Sequence, residues 1–194
     1  MTSKRTRGPG LFHRTLALVI PWIVIAAPCL HAQKSRPTEN EVKSAYLYNF
    51  GKFVEWPAKA TGVGEFFTIC VFGDDTFGST LETTIARESI NGKKVSVKRV
   101  ANPQDAVSCR ILFISSSQQN RLKEILADLD NTSVLTVSDM PEFTRRGGMI
   151  QFVAEANRVR FEVNLTSAER TGLTLSSQLL KVAIDVKRSA QPGS

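Results

Sequence analysis

Histidine is nearly missing from this 194-residue sequence: the only two, His13 and His31, fall within the first 31 residues. Any chain that loses that stretch has no imidazole left. A Ser-His-Asp or Cys-His catalytic site, a histidine-ligated metal and a histidine general base are then all excluded. The sequence also lacks G-x-x-x-x-G-K-[ST], so I90-N-G-K-K94 reads as a turn and not a phosphate loop. No serine sits in G-x-S-x-G, which removes the hydrolase elbow. Cysteine is scarce, with Cys29, Cys70 and Cys109. No internal repeat or low-complexity tract is present.

The first 14 residues carry four Lys/Arg and no acid, and T15-L-A-L-V-I-P-W-I-V-I-A-A-P28 follows. That apolar run is short for a membrane span and is broken by Pro21; Ala32 then precedes a polar shift. The pattern predicts a secretory signal peptide over 1–32, cleaved after export by the general pathway. It predicts a linker over 33–40, one domain over 41–187 and a tail over 188–194. Removal of the leader takes four of the 25 basic residues and none of the 18 acidic ones, so the net charge falls from +7 to +3. The basic pI belongs largely to the leader, and the case for nucleic-acid binding goes with it.

What is present raises a question at F67-T-I-C-V-F-G-D-D75. Such a run fits an acidic metal or phosphoacceptor pocket at a strand end, a reactive thiol, or a strand stapled by a disulfide and closed by a turn. Two cysteines in an exported chain favour one disulfide, Cys70–Cys109. Asp75 before Thr76-Phe77-Gly78 reads as a helix cap, and Asp139 before Met140-Pro141 as a turn residue.

Periodicity predicts a helix over 41–56 and buried strands at 66–72, 110–115 and 133–139. It predicts a half-exposed strand at 95–100 and helices over 75–87 and 116–129. A hairpin turning at A154-E-A-N157 occupies 147–164. A capping box at T166-S-A-E169 starts another helix, and 176–186 completes the C-terminal helical segment. The predicted fold is a three-layer α/β/α sandwich. Its mostly parallel sheet takes the flavodoxin-like order 2-1-3-4, with a C-terminal antiparallel hairpin on the edge. The disulfide carries that order, since a bridge needs Cα atoms within about 7 Å and so makes the strands of Cys70 and Cys109 neighbours. In the hairpin, Ile150, Phe152, Val159, Phe161 and Val163 alternate with Gln151, Arg158, Arg160, Glu162 and Asn164, so the polar row is expected to face outward as a partner-binding surface.

In order, E41-V-K-S-A-Y-L-Y-N-F-G-K-F-V-E-W-P57, I69-C-V-F-G-D-D-T-F-G78, S108-C-R-I-L-F-I-S-S116, V134-L-T-V-S-D139, G147-G-M-I-Q-F152, V159-R-F-E-V-N-L165 and G172-L-T-L-S-S-Q-L-L180 resemble the YfiR/HmsC-like periplasmic regulators. The resemblance implies a non-enzymatic protein with no cofactor that binds the periplasmic part of a membrane-bound diguanylate cyclase. It represses that cyclase and so lowers cyclic-di-GMP and biofilm formation. The resemblance also implies release by an OmpA-like outer-membrane lipoprotein, and a homodimer is compatible with it. The family's cysteine pair falls on Cys70 and Cys109; a second pair, found in some members near the C-terminal hairpin, is missing here. Two other classes stay open. One is a small-molecule sensor built on the aromatic helix; the other is an enzyme using Asp74, Asp75 and Asp139 with a divalent metal.

Overall fold

The computed structural model describes Thr2 and residues 36–58 and 64–188. The signal peptide read over 1–32 and the tail from 189 lie outside the described residues. Thr38 opens the fold. Its hydroxyl accepts the Glu41 N–H at 3.3 Å, while the Glu41 carboxylate accepts the Thr38 N–H at 2.6 Å. This reciprocal box starts helix α1 (Glu39–Phe53). Glu39 and Asn40 are therefore helical and not linker, a correction of two residues.

The remaining elements follow as β1 (Val54–Glu55), β2 (Phe66–Phe72), α2 (Thr80–Ile85), β3 (Ser89–Ile90), β4 (Lys93–Val100) and a 3-10 turn (Pro103–Ser108). Then come β5 (Ile111–Ile114), a 3-10 turn (Ser116–Arg121), α3 (Leu122–Asp128), β6 (Leu135–Ser138), β7 (Ile150–Glu155), β8 (Arg158–Asn164), α4 (Leu165–Arg170), β9 (Thr174–Leu175), α5 (Ser177–Val182) and β10 (Asp185–Lys187). Helix α2 begins at Thr80, later than residue 75, because the Asp75 carboxylate takes the Phe77 and Gly78 N–H groups at 2.9 and 3.3 Å in a turn of its own. Helix α4 is capped by Asn164, whose side-chain oxygen accepts the Ser167 N–H at 3.0 Å, so it starts one residue before the predicted box.

Eight strands form a sheet in the order β10-β8-β7-β6-β5-β2-β4-β3. From β4 through β2, β5 and β6 to β7 every pairing is parallel. One face carries Leu47 and Phe50 of α1, Leu81 and Ile85 of α2, Leu165 of α4 and Leu179 of α5 over Ile69, Val71, Ile111 and Phe113. The other carries Leu122 and Ile125 of α3 over Phe72, Leu112 and Ile114. A strand buried on both faces has no wet side, which is why β5 and β6 are apolar or fully buried throughout. The architecture is mixed α/β, a mostly parallel sheet between helices.

One part of the expectation is corrected. The hairpin is not the sheet edge, because β10 adds in parallel outside β8, pairing Asp185 with Glu162, Val186 with Val163 and Lys187 with Asn164. Residues 176–186 read as one helix, but Ala183 turns extended at φ −66°, ψ 143° and ends α5 at Val182. The three residues of β10 then satisfy backbone groups that β8 would otherwise leave open.

Candidate functional site

Cys70 and Cys109 form a disulfide with Cα atoms 6.0 Å apart, both fully buried in the cluster beneath α3. The bridge joins β2 to the entry of its neighbour β5. Neither sulfur is available as a nucleophile or a metal ligand.

Open α/β sheets bind ligands at the carboxyl ends of their strands. Here that crevice, between β2 and β5, is filled. Gly73 stands at φ +90°, and a side chain on it would meet Ser117 Oγ, Gln118 Cγ and Ser115 Cβ at 2.7–3.1 Å. The Ser117 hydroxyl accepts the Asp74 N–H at 3.0 Å. Asp75 receives Arg99 through two donors at 2.7 and 2.9 Å, and Arg99 also pairs with Glu82.

Asp139, at the end of β6, does not make the predicted turn bond; the Ser138 hydroxyl takes the Met140 N–H at 3.1 Å instead. The Asp139 carboxylate pairs with Lys43 Nζ at 2.7 Å, and Lys43 also reaches Glu39 at 2.7 Å. Burial pulls the Lys43 ammonium down, but the hydrogen bonds and charges of Asp139 and Glu39 outweigh it, so its pKa lies above the ordinary lysine value. Lys43 is 6 % exposed and shares its helix face with Leu47 and Phe50, four and seven residues on; a lysine at that spacing on an apolar face is the signal that could have found it. Asp74, Asp75 and Asp139 thus sit in separate environments, two of them bound to cations of the protein's own. No cluster of three or more metal-ligating side chains occurs among the described residues.

The five polar hairpin residues divide. Gln151 is buried and its side-chain oxygen accepts the Thr144 N–H at 3.3 Å. Glu162 accepts from Lys187 Nζ at 2.9 Å and the Thr144 hydroxyl at 3.2 Å. Asn164 caps α4 and donates to the Thr144 carbonyl at 2.8 Å. The segment around Thr144, together with β10, covers this half of the face, which alternation along the strand cannot reveal. Arg158 is exposed and Arg160 half-buried, with no ion pair to either among the described residues.

Two concavities flank α1. A groove of about 820 Å³ with mixed walls lies between its N-terminal approach and the hairpin tip, lined by Arg36, Pro37, Glu39, Val42, Ala154 and Arg158 among others. It adjoins a 150 Å³ cavity whose walls include Lys43, Asp139, Phe152 and Val159. An apolar groove of about 310 Å³ lies between α1 and α5, lined by Tyr46, Phe50, Phe53, Phe161, Leu179 and Val182. Phe50 itself is core, with its ring 5.1 Å from Phe161 and 5.8 Å from Phe152.

The YfiR/HmsC-like family matches residues 40–184. The chain belongs to that family. YfiR/HmsC-like proteins are periplasmic regulators that act through protein–protein interaction and not through catalysis. No helix among the described residues is long and apolar enough to cross a membrane. A crystal structure of a conserved domain protein from Vibrio cholerae O1 biovar eltor is similar at TM-score 0.57 and 11 % identity, over 79 % of this chain. This chain spans 62 % of the Vibrio chain's length, and the likeness is one of fold. An ABC domain from Streptococcus pneumonia, solved with L-Trp, matches at TM-score 0.46 and 12 % identity, over 62 % of this chain and 55 % of that one.

Proposed function

We propose that this YfiR/HmsC-like chain is exported with a cleaved signal peptide and acts in the periplasm without turnover of its own. It binds the periplasmic part of an inner-membrane diguanylate cyclase and represses it, which lowers cyclic-di-GMP and biofilm formation. An OmpA-like outer-membrane lipoprotein takes part in relieving the repression. The observation that carries this reading is the family match from residue 40 to residue 184. The site geometry supports it, since Asp75 and Asp139 are engaged by Arg99 and Lys43 and not held open for chemistry. Of the hairpin row, Arg158 and Arg160 are the residues proposed to meet the partner, because Gln151, Glu162 and Asn164 hold the fold together. Charge there sets register and association rate more than raw affinity.

The test is co-expression of the chain with a membrane diguanylate cyclase from the same genome, reading cellular cyclic-di-GMP. Repression is expected, and Arg158→Glu with Arg160→Glu should weaken binding by about 1–2 kcal/mol. Unchanged cyclic-di-GMP with the exported chain present sinks the proposal. Glu162→Arg is a poor probe of the interface, since it also removes the Lys187 and Thr144 contacts.

A second reading rests on the apolar groove between α1 and α5, where Val182 remains 55 % exposed. It makes the chain a sensor for a small apolar molecule. A ligand-dependent rise in melting temperature that disappears in Phe53→Asp would favour it.

A further inference from the structure

Strand β7 runs past its neighbour. It pairs with β8 over six positions, Ile150↔Val163 to Glu155↔Arg158, but with β6 over only two, Val137↔Ile150 and Ser138↔Gln151. Beyond Ser138 the chain turns away through Asp139 and Met140, so Phe152–Glu155 have no strand on that side among the described residues. The Asn164 N–H donates to the Met149 carbonyl at 2.7 Å, which sets the phase of the hairpin. Hydrogen-bonded pairs alternate along an antiparallel ladder, so 151/162, 153/160 and 155/158 bond across it. The backbone groups of Ala154 therefore point out of the hairpin, toward the vacant side.

Open edges are normally guarded by lysine, proline, a bulge or a covering segment. Here Phe152, Val153 and Ala154 bring no charge and no proline, with the smallest chiral side chain at the outward-bonding position; the one charge of the overhang is Glu155 at its tip, opposite Arg158. The 820 Å³ groove reaches this edge at Ala154; one wall is the hairpin tip from Ala154 to Val159 and the other is Arg36, Pro37, Glu39 and Val42 at the start of α1. The adjoining cavity, walled by Phe152 and Val159, continues it inward beside the Lys43–Asp139 pair. Of the charges on the groove, Lys43 is neutralised by Glu39 and Asp139. Arg36 and Arg158 have no ion pair among the described residues.

We infer that this edge is a strand-addition site: an extended segment of the protein partner pairs with the backbone of β7 at Ala154. An apolar side chain of that segment enters the cavity at Phe152 and Val159, and an acidic one meets Arg158 and Arg36. Main-chain hydrogen bonds supply affinity in this mode, while alternate side-chain pockets supply specificity. The inference rests on the reading of the chain as a binder of a protein partner and specifies the class of segment it takes.

The test titrates the exported, 15N-labelled chain with two pools of capped extended pentapeptides. One pool alternates valine or isoleucine with glutamate; the other has lysine in place of glutamate. The acidic pool should shift the Val153 and Ala154 amides saturably, and the lysine pool should bind about tenfold more weakly. Ala154→Pro removes the outward N–H without touching a ladder bond, and should abolish the shifts. Arg158→Glu, which leaves the backbone intact, should invert the preference between pools. The inference is overturned if the acidic pool leaves Ala154 unmoved at millimolar concentration, or if both pools act equally. Shifts centred on Phe53 and Val182 also overturn it, by placing binding in the apolar groove. Repression of the cyclase that survives Ala154→Pro discards strand addition and leaves the regulator reading standing; no repression by the unaltered chain discards that reading itself.

Discussion

Replacing Asp139 with alanine should cost more stability than replacing Lys43 with methionine, although both remove the same ion pair. Lys43 has a side chain only 8 % exposed, and it bridges α1 to the end of β6. Taking away one partner of a buried pair costs about 3–5 kcal/mol, because the other charge is left without compensation. Two features reduce that figure here: the Asp139 side chain is 22 % exposed, and Glu39 still offers a carboxylate at 2.7 Å, though one that is 62 % exposed. A loss of about 2–3 kcal/mol follows for Asp139→Ala. Lys43→Met keeps the buried aliphatic stem and leaves behind an aspartate that water can reach, so about 0–1 kcal/mol is expected. The double variant should resemble Lys43→Met alone, giving a coupling of about 2–3 kcal/mol, the whole cost of Asp139→Ala. Urea unfolding at neutral pH, followed by circular dichroism, measures all three. The pH dependence gives an independent check. The folded pKa of Lys43 is raised, so its stabilisation is full below the unfolded lysine value near 10.4 and is lost as pH rises through the folded value. The stability difference between the native chain and Lys43→Met should therefore shrink only in the alkaline range. If Asp139→Ala proves the milder change, or the single effects simply add, the account of Lys43 as a charge held by Asp139 is wrong.

Removing the disulfide with Cys70→Ser and Cys109→Ser should cost about 4 kcal/mol by the loop-entropy relation for the 39-residue separation, read as a lower urea midpoint; a loss under about 1 kcal/mol would contradict it. Gly148→Ala places a methyl against the Phe143 ring, which is fully buried, and should destabilise by about 1–3 kcal/mol, with no effect at that site refuting the packing. Asp75→Ala should lose about 1–2 kcal/mol by releasing the Phe77 and Gly78 amides and Arg99, whereas Asp74→Ala should stay within about 0.5 kcal/mol; equal effects in thermal melts would show the turn is wrongly assigned.

Much of this fold is written in local pattern. The largely apolar run at 66–72 and the wholly apolar one at 111–114 read as strands of a covered sheet, and A154-E-A-N157 between alternating runs reads as the turn of a hairpin. Those features depend on residues adjacent in the chain, so one sequence suffices to see them. Asn164 shows the limit. It reads as one more outward polar residue of β8, yet it caps α4 and holds the Thr144 carbonyl, twenty residues away in sequence. Gln151 and Glu162 find partners within the fold for the same reason, since alternation says which side of a strand a residue faces but not what covers that side.

The fold class follows from the sequence alone, because short-range periodicity determines it, and the expectation of an export leader that would carry off both histidines rests on composition in the same way. Three things were decided only in three dimensions. Lys43 is buried because Asp139, ninety-six positions distant, arrives at the end of β6 to neutralise it. Strand β10 forms because β8 presents unsatisfied backbone that three residues after α5 can reach. The open edge of β7 exists because β6 stops two pairs into their ladder. Each of these depends on where a distant segment comes to rest, and the free energy that selects it arises only once the sheet has assembled.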